Sequence, residues 1–214
     1  MSFKHSMKRL LSFVYPILIE KIPSEINGDL ELSIQNGKLV VDSKQANYSF
    51  GSLHDVFRKI INEFKFDPTR KETLVLGFGA GSIATILNQE RQLKLKIDGV
   101  DLDPVLLELY RNNFAFEADQ CTLIPADALQ YLESCTKQYD YIFIDVFVNL
   151  EVPKELRTNH FIELLQKVSN KHTQLAMNTM LAKDDDFVVD WISCFGRRAS
   201  MKRYHSDNLV LFKL

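Results

Sequence analysis

Residues 71–103 read Lys-Glu-Thr-Leu-Val-Leu-Gly-Phe-Gly-Ala-Gly-Ser, a stretch of helical pattern, and then Ile-Asp-Gly-Val-Asp-Leu-Asp. An apolar strand, a glycine-rich turn, a helix and a second strand ending in carboxylates follow one another, which is the order of a nucleotide site. Gly77, Gly79 and Gly81 let the backbone turn sharply and come close to a ligand with no Cβ in the way, and the following helix aims free N–H groups at the same point. Asp101, twenty residues beyond Gly81, falls at the carboxyl end of the next strand, where a carboxylate can accept both hydroxyls of a ribose. Glycine triplets also serve ordinary tight turns, and a lone acid can cap a helix. The ordered context is what singles these residues out.

Downstream, strand-like and helix-like segments alternate at 73–78, 82–90, 96–101, 104–114, 121–124, 126–134, 139–145, 157–169, 173–178 and 184–195. Such alternation predicts a parallel sheet covered by helices on both faces. Ala199 to Tyr204 and Leu209 to Lys213, around Ser206-Asp207-Asn208, read as an antiparallel hairpin that closes the sheet. Upstream, Val56, Phe57, Ile60, Ile61 and Phe64 recur at helical spacing and stop before Pro68. Before them, Leu30 to Ile34 and Leu39 to Val41 alternate around Asn36-Gly37, a strong hairpin signal. The expected fold is α/β: a doubly wound, mostly parallel seven-stranded sheet with an antiparallel C-terminal hairpin. A β extension is expected over 1–50 and the α/β domain over 51–214.

The 214 residues, 46% hydrophobic and 25% charged, fit one soluble globular domain. A net charge of −2 makes no electrostatic case for nucleic acid or an acidic membrane as the partner, and Arg197-Arg198 and Lys202-Arg203 read as a solvated face. Cys121, Cys135 and Cys194 are widely spaced in apolar surroundings and form no C-x-x-C motif, so a reducing, cytoplasmic setting is expected. The apolar stretch Leu10 to Ile19 is broken by Ser12 and Pro16 and is too short to span a bilayer. Lys4, Lys8 and Arg9 precede it as in a signal peptide, yet no small-residue cleavage site follows. His54, His160, His172 and His205 lack ligand spacing, and no metal is expected. Two stripes, Phe161, Leu164, Leu165 and Val168, then Val188, Trp191, Ile192 and Phe195, are core faces of helices, and Thr158 is expected to cap the first.

In open α/β sheets, chemistry belongs at the carboxyl ends of the strands. Besides the glycine turn and Asp101 with Asp103, those ends supply Asp127 in Ile-Pro-Ala-Asp-Ala-Leu and Asp145 after Tyr-Ile-Phe-Ile. Asp127 is placed to accept a purine's exocyclic amine, with the Ala128 N–H offered to a ring nitrogen, and is equally suited to cap a helix. Asp145 emerges from an apolar wall, a position for a base or an amine-binding group.

These residues resemble the class I S-adenosylmethionine-dependent methyltransferase fold and, within it, the spermidine synthase-like group, over about residues 28–180. Leu-Val-Leu-Gly-Phe-Gly-Ala-Gly-Ser matches the cofactor turn, Gly-Val-Asp-Leu-Asp-Pro the ribose-binding strand, Ala-Asp-Ala the adenine motif, and Asp145-Val-Phe through Val152-Pro153 and Leu156-x-Thr158 the catalytic loop. The resemblance implies that Gly77, Phe78, Gly79, Gly81, Asp101, Leu102, Asp127 and Ala128 hold the cofactor and that Asp145 is the catalytic acid facing a small-molecule acceptor. Tyr48, Tyr141 and Asn149 are candidate acceptor contacts, and a homodimer is an option.

Polyamine synthases carry a carboxylate inside the glycine turn and another three residues after the catalytic one; here Ala80 and Val148 stand in those places. Losing two acids removes charge-assisted bonds to ammonium groups of roughly 1.5–3 kcal/mol each. Ala80 is easier on the carboxylate of intact S-adenosylmethionine, so methyl transfer is the leading expectation. Aminopropyl transfer from decarboxylated S-adenosylmethionine is the alternative, with Glu151 a substitute acid. A non-catalytic binding protein and an NAD-dependent oxidoreductase, for which Gly79-Ala80-Gly81-Ser82-Ile83-Ala84 fits G-x-G-x-x-A, are the further rivals.

Overall fold

Apolar runs of the sequence become strands of two sheets. The computed structural model describes residues 9–43, 52–116, 120–148, 151–204 and 208–214. β1 (Ile17–Ser24), β2 (Gly28–Gln35) and β3 (Lys38–Ser43) form an antiparallel sheet in that order, with Asn36 and Gly37 at positive φ in the turn the sequence marks. β1 is an addition to the expected hairpin. Leu18, Ile19, Glu20 and Lys21 are all exposed on it, so it lacks the alternation of a half-buried strand.

The main sheet has the order β6-β5-β4-β7-β8-β10-β9. Its strands are β4 (Glu72–Leu76), β5 (Lys96–Asp101), β6 (Cys121–Pro125), β7 (Tyr139–Ile144), β8 (Ser169–Thr179), β9 (Ala199–Tyr204) and β10 (Asn208–Lys213). Pairs from β6 to β8 are parallel, whereas β10 runs antiparallel to both β8 and β9. This is the expected seven-stranded doubly wound sheet with its antiparallel hairpin, and the order in which the chain lays down its strands reverses between β4 and β7.

Helices α1 (Ser52–Ile61), α2 (Ser82–Ala84), α3 (Pro104–Asn113), α4 (Ala128–Ser134), α5 (Asn159–Lys167) and α6 (Asp186–Phe195) cover the two faces. Tyr141 and Phe143 of β7 join a core with α1, α2 and α3, while Ile142 and Ile144 join one with α4, α5 and α6. Strands buried on both faces are continuous apolar runs for this reason. Leu30, Leu32 and Val41 of the small sheet enter the first core, so that sheet packs on the same body.

Two local features depart from the sequence pattern. Past Ala84 the helix widens to a π-helix over Thr85–Glu90, and apolar spacing does not distinguish this from a regular continuation. Cys194 is exposed, although its neighbours are apolar; Cys135 is buried and Cys121 half-buried. Among the described residues no helix is long and apolar enough to cross a membrane, and no group of His, Cys, Asp and Glu is arranged to hold a metal.

Candidate functional site

The turn after β4 is shaped by what passes behind it. Gly77 and Phe78 N–H groups both donate to the Val100 carbonyl, at 2.9 and 3.0 Å, which curls the chain over the end of β5. Gly77 has φ +76°, and a Cβ there would lie 2.2 Å from the Asp145 carbonyl oxygen. Gly81, at φ +82°, would put a Cβ 2.1 Å from the Tyr110 ring. Both positions thus require glycine on conformation and on space. Gly79 donates its N–H to Asp101 Oδ2 at 2.7 Å, so the turn is tied to the acid twenty residues beyond it.

Asp101 Oδ1 accepts the Asp103 N–H at 2.9 Å. Burial pushes its carboxyl up to about 6, against the pull of the Asp103 and Gly79 N–H bonds. Each oxygen keeps a lone pair for a ribose hydroxyl. Asp103 does different work: it caps α3 through Val105 N–H at 2.9 Å and accepts Ser24 Oγ at 2.5 Å and Asn27 Nδ2 at 2.7 Å. It therefore clamps the β1–β2 turn to the end of β5.

Asp127 caps α4, its Oδ1 accepting the Leu129 and Gln130 N–H groups at 2.9 and 3.0 Å. The capping role is realised, and the Ala128 N–H stands at the first helical position, beyond reach of intrahelical acceptors. Leu102, beside Asp101, is 51% exposed, an apolar surface at the strand ends. Ala126 N–H donates to the Asp101 carbonyl at 3.0 Å and holds the third strand end to the second.

Phe78, expected among the cofactor contacts, turns its side chain inward. Its ring is buried, lies over Gly99 and packs edge-on against Tyr110 at 4.8 Å. Its N–H goes to Val100 and its carbonyl accepts from Gly81, so what it can still offer a ligand is the carbonyl's second lone pair. Ala80 is likewise core, 1% exposed. Tyr141, a candidate acceptor contact, is fully buried with its hydroxyl accepting the Asp67 N–H at 2.8 Å. Tyr48 and Asn149 lie outside the described residues.

Asp145 sits against the turn: its N–H donates to the Leu76 carbonyl at 2.8 Å, and its own carbonyl is the atom that excludes a side chain at Gly77. Its Oδ1 accepts Asn178 Nδ2 at 2.9 Å, and Asn178 Oδ1 in turn accepts Asn208 Nδ2 at 3.0 Å. Burial pushes the Asp145 carboxyl up to about 7; the Asn178 bond opposes this, and the charge of Asp101 adds to it. A cation placed beside Asp145 and Asp101 would relieve the like-charge contribution to this rise.

Past Asp145, Val148 and Glu151 exchange backbone hydrogen bonds at 2.9 and 3.0 Å, both side chains exposed. Thr158 caps α5 by accepting the Phe161 N–H at 3.2 Å. The sequence pattern does not single out Asn178, Ser24 or Asn27. The available signal for Asn178 is a buried polar residue ending the apolar run Leu175-Ala176-Met177 at a strand's carboxyl end.

Residues 61–182 match the Spermine/spermidine synthase domain family. A probable polyamine aminopropyl transferase of Bifidobacterium longum is 25% identical over 111 residues, 52% of this chain. The chain spans only 24% of that relative's length. A probable spermidine synthase from Corynebacterium glutamicum superposes with a TM-score of 0.65 at 21% identity, over 93% of this chain and 77% of the other. Human Methyltransferase-like protein 13, solved in complex with SAH, gives 0.63 at 20% identity, over 77% and 82%. At such identities these two structures establish the fold alone.

Proposed function

This chain belongs to the spermine/spermidine synthase domain family, and from that premise we propose that it transfers an aminopropyl group from decarboxylated S-adenosylmethionine to an amine. Family membership and an aminopropyl transferase among its relatives favour this over the methyl transfer that Ala80 and Val148 suggest in the sequence. The observation that carries the reading is Asp145, packed against Gly77 and oriented by Asn178, its carboxyl raised by burial with a further contribution from the Asp101 charge.

The residues present fit such a donor. Asp101, steadied by the Gly79 and Asp103 N–H groups, would hold the ribose hydroxyls, and Ala128 with Asp127 the adenine edge. Leu102 offers an apolar face to the base. When bound, the sulfonium donor supplies an activated carbon: the acceptor nitrogen bonds to it as the carbon–sulfur bond breaks, the electron pair leaving with methylthioadenosine. Asp145 takes or orients the proton that the acceptor nitrogen loses. Its raised carboxyl suits this, since a base near neutrality both ionises and holds a proton. The cationic donor and acceptor together favour its ionised form.

Methyl transfer remains the second reading because Ala80 is buried in the core where an amine-binding acid would stand. Mass spectrometry of products decides between them. Incubation with decarboxylated S-adenosylmethionine and a set of amines is expected to release methylthioadenosine. Release of S-adenosylhomocysteine from intact S-adenosylmethionine, with no methylthioadenosine from the decarboxylated donor, would overturn the assignment.

A further inference from the structure

Beyond Asp145 the loop surface carries charges of both signs that the described residues leave largely unpaired. A groove of about 350 Å³ is lined by Glu151, Val152, Arg157, Met180 and Leu181. Met180 follows the end of β8 two residues after Asn178, the partner of Asp145, so one wall of this groove is a short step along the chain from the residue that orients that carboxylate. A neighbouring hollow of about 530 Å³ shares Glu151 and Val152 and adds Lys154 and Glu155.

Among the described residues, the side chains of Glu151, Lys154 and Glu155 make no ion pair or hydrogen bond. Arg157 reaches one carboxylate, Asp185, at 4.0 Å, and Asp185 Oδ1 is already engaged in capping α6 through the Phe187 N–H at 3.0 Å. A guanidinium is a fork of five donors built to take a carboxylate side-on, and this one is a quarter exposed with most of its donors unused.

Glu151 and Glu155 against Lys154 and Arg157 leave these linings with no net charge. A site for a bare diamine is served by net negative charge, and the position in this loop where an acid would supply it holds Val148. A ligand with an ammonium group and a carboxylate would use both signs, its amine toward Asp145 and Glu151 and its carboxylate on Arg157. We propose that the acceptor is an amino carboxylate, a diamine bearing an acid group, and that Arg157 is the residue that reads the acid. The inference rests on the aminopropyl-transfer reading for the bond that is made, while recognition of the carboxylate is a binding property in its own right.

Putrescine and ornithine differ by one carboxylate and are the probes. Calorimetry on the full chain with methylthioadenosine present is expected to show ornithine binding at least about 10-fold more tightly than putrescine. Arg157→Gln should erase the advantage, weakening ornithine roughly 10- to 100-fold and leaving putrescine unchanged. Arg157→Lys, which keeps the charge and loses the fork, should fall between them and serves as the check if the glutamine variant misfolds. Equal binding of both probes, or an ornithine affinity indifferent to Arg157→Gln, would overturn the proposal. So would an Arg157→Gln variant that loses affinity for intact but not decarboxylated S-adenosylmethionine, since the guanidinium would then belong to the donor. Absence of methylthioadenosine release with every amine sinks the reaction assigned above, whereas the ratio of the two affinities still decides the carboxylate.

Discussion

Around the glycine turn, donors and acceptors are bonded to one another before any ligand arrives: Gly77 and Phe78 to Val100, Gly79 and Asp103 to Asp101, Ala126 to the Asp101 carbonyl. Among the side chains of the loop after Asp145 the reverse holds, with Glu151, Lys154 and Glu155 unpaired among the described residues and Arg157 at the limit of one ion pair. The first region is preorganised and its shape dictates what it accepts. The second is a set of charges with few partners among the described residues. On the proposed reading, donor selectivity would rest on rigid backbone in one half and acceptor selectivity on unspent electrostatics in the other, with Asp145 at the seam.

The sharpest way to break that contrast is to disturb the rigid half at its tightest point. Gly77→Val puts a branched side chain on a backbone at φ +76° and against the Asp145 carbonyl, where a Cβ alone would approach to 2.2 Å. It is expected to destabilise the fold by about 2–4 kcal/mol and to abolish binding of methylthioadenosine. Thermal melts and calorimetry read both, and a variant that melts and binds as wild type would show that the turn is not rigid.

Asp145→Asn tests the seam. Asparagine can still accept the Asn178 Nδ2 bond, so fold and donor affinity should hold while turnover falls by roughly 10²–10⁴-fold. With the carboxyl raised to about 7, wild-type turnover should climb as pH passes through 7. Stability runs the other way: the folded state binds this proton more tightly than the unfolded chain, so its contribution declines from pH 3.8 upward and levels off above about 7. Asp145→Asn escapes that penalty and should melt above wild type at pH 8, with the gap closing toward pH 4. A melting difference independent of pH would remove the basis for a buried, raised carboxyl.

Asp101→Ala acts within the rigid half but spares its backbone. Losing the ribose acceptor should weaken methylthioadenosine roughly 10- to 100-fold, with the affinities of putrescine and ornithine little changed. Equal losses for donor and acceptor would mean that the two halves are one coupled site.

The same contrast governs what the sequence discloses. Gly77, Gly81 and Asp101 are legible because backbone geometry demands particular residue types at fixed spacing. Asp103 and Asp127 are legible as carboxylates at strand ends, yet one proves to be a clamp on Ser24 and Asn27 and the other a helix cap, because contacts from distant segments decide the use of an acid. Phe78 lies in the motif and is core, since the turn directs alternate side chains under the sheet end. β1 is hidden because Leu18 and Ile19 are exposed and break the two-residue period. Arg157 has no local pattern at all, and its position in the groove arises only when the loop after β7 folds beside the end of β8.

The smallest expected effect is the most discriminating for Asp145. Asn178 donates from the end of β8 to Asp145 Oδ1 at 2.9 Å, the one contact among the described residues that holds this carboxyl down against burial and the charge of Asp101. Removing it with Asn178→Ala should raise the carboxyl further, because the ionised form loses its hydrogen bond while its desolvation is nearly unchanged. The acid limb of the turnover profile should then move to higher pH, with a loss of a few-fold at pH 7 that is recovered at pH 9. A residue serving only as strand packing would lower the melting temperature and scale turnover equally at every pH. Asn178→Asp separates the cases further: a second carboxylate beside the first should push the profile more strongly alkaline than alanine does, since like charge adds to the lost bond. If both variants keep the wild-type profile, Asp145 does not titrate in the rate-limiting step, and its part in the reaction is to orient the acceptor rather than to receive its proton.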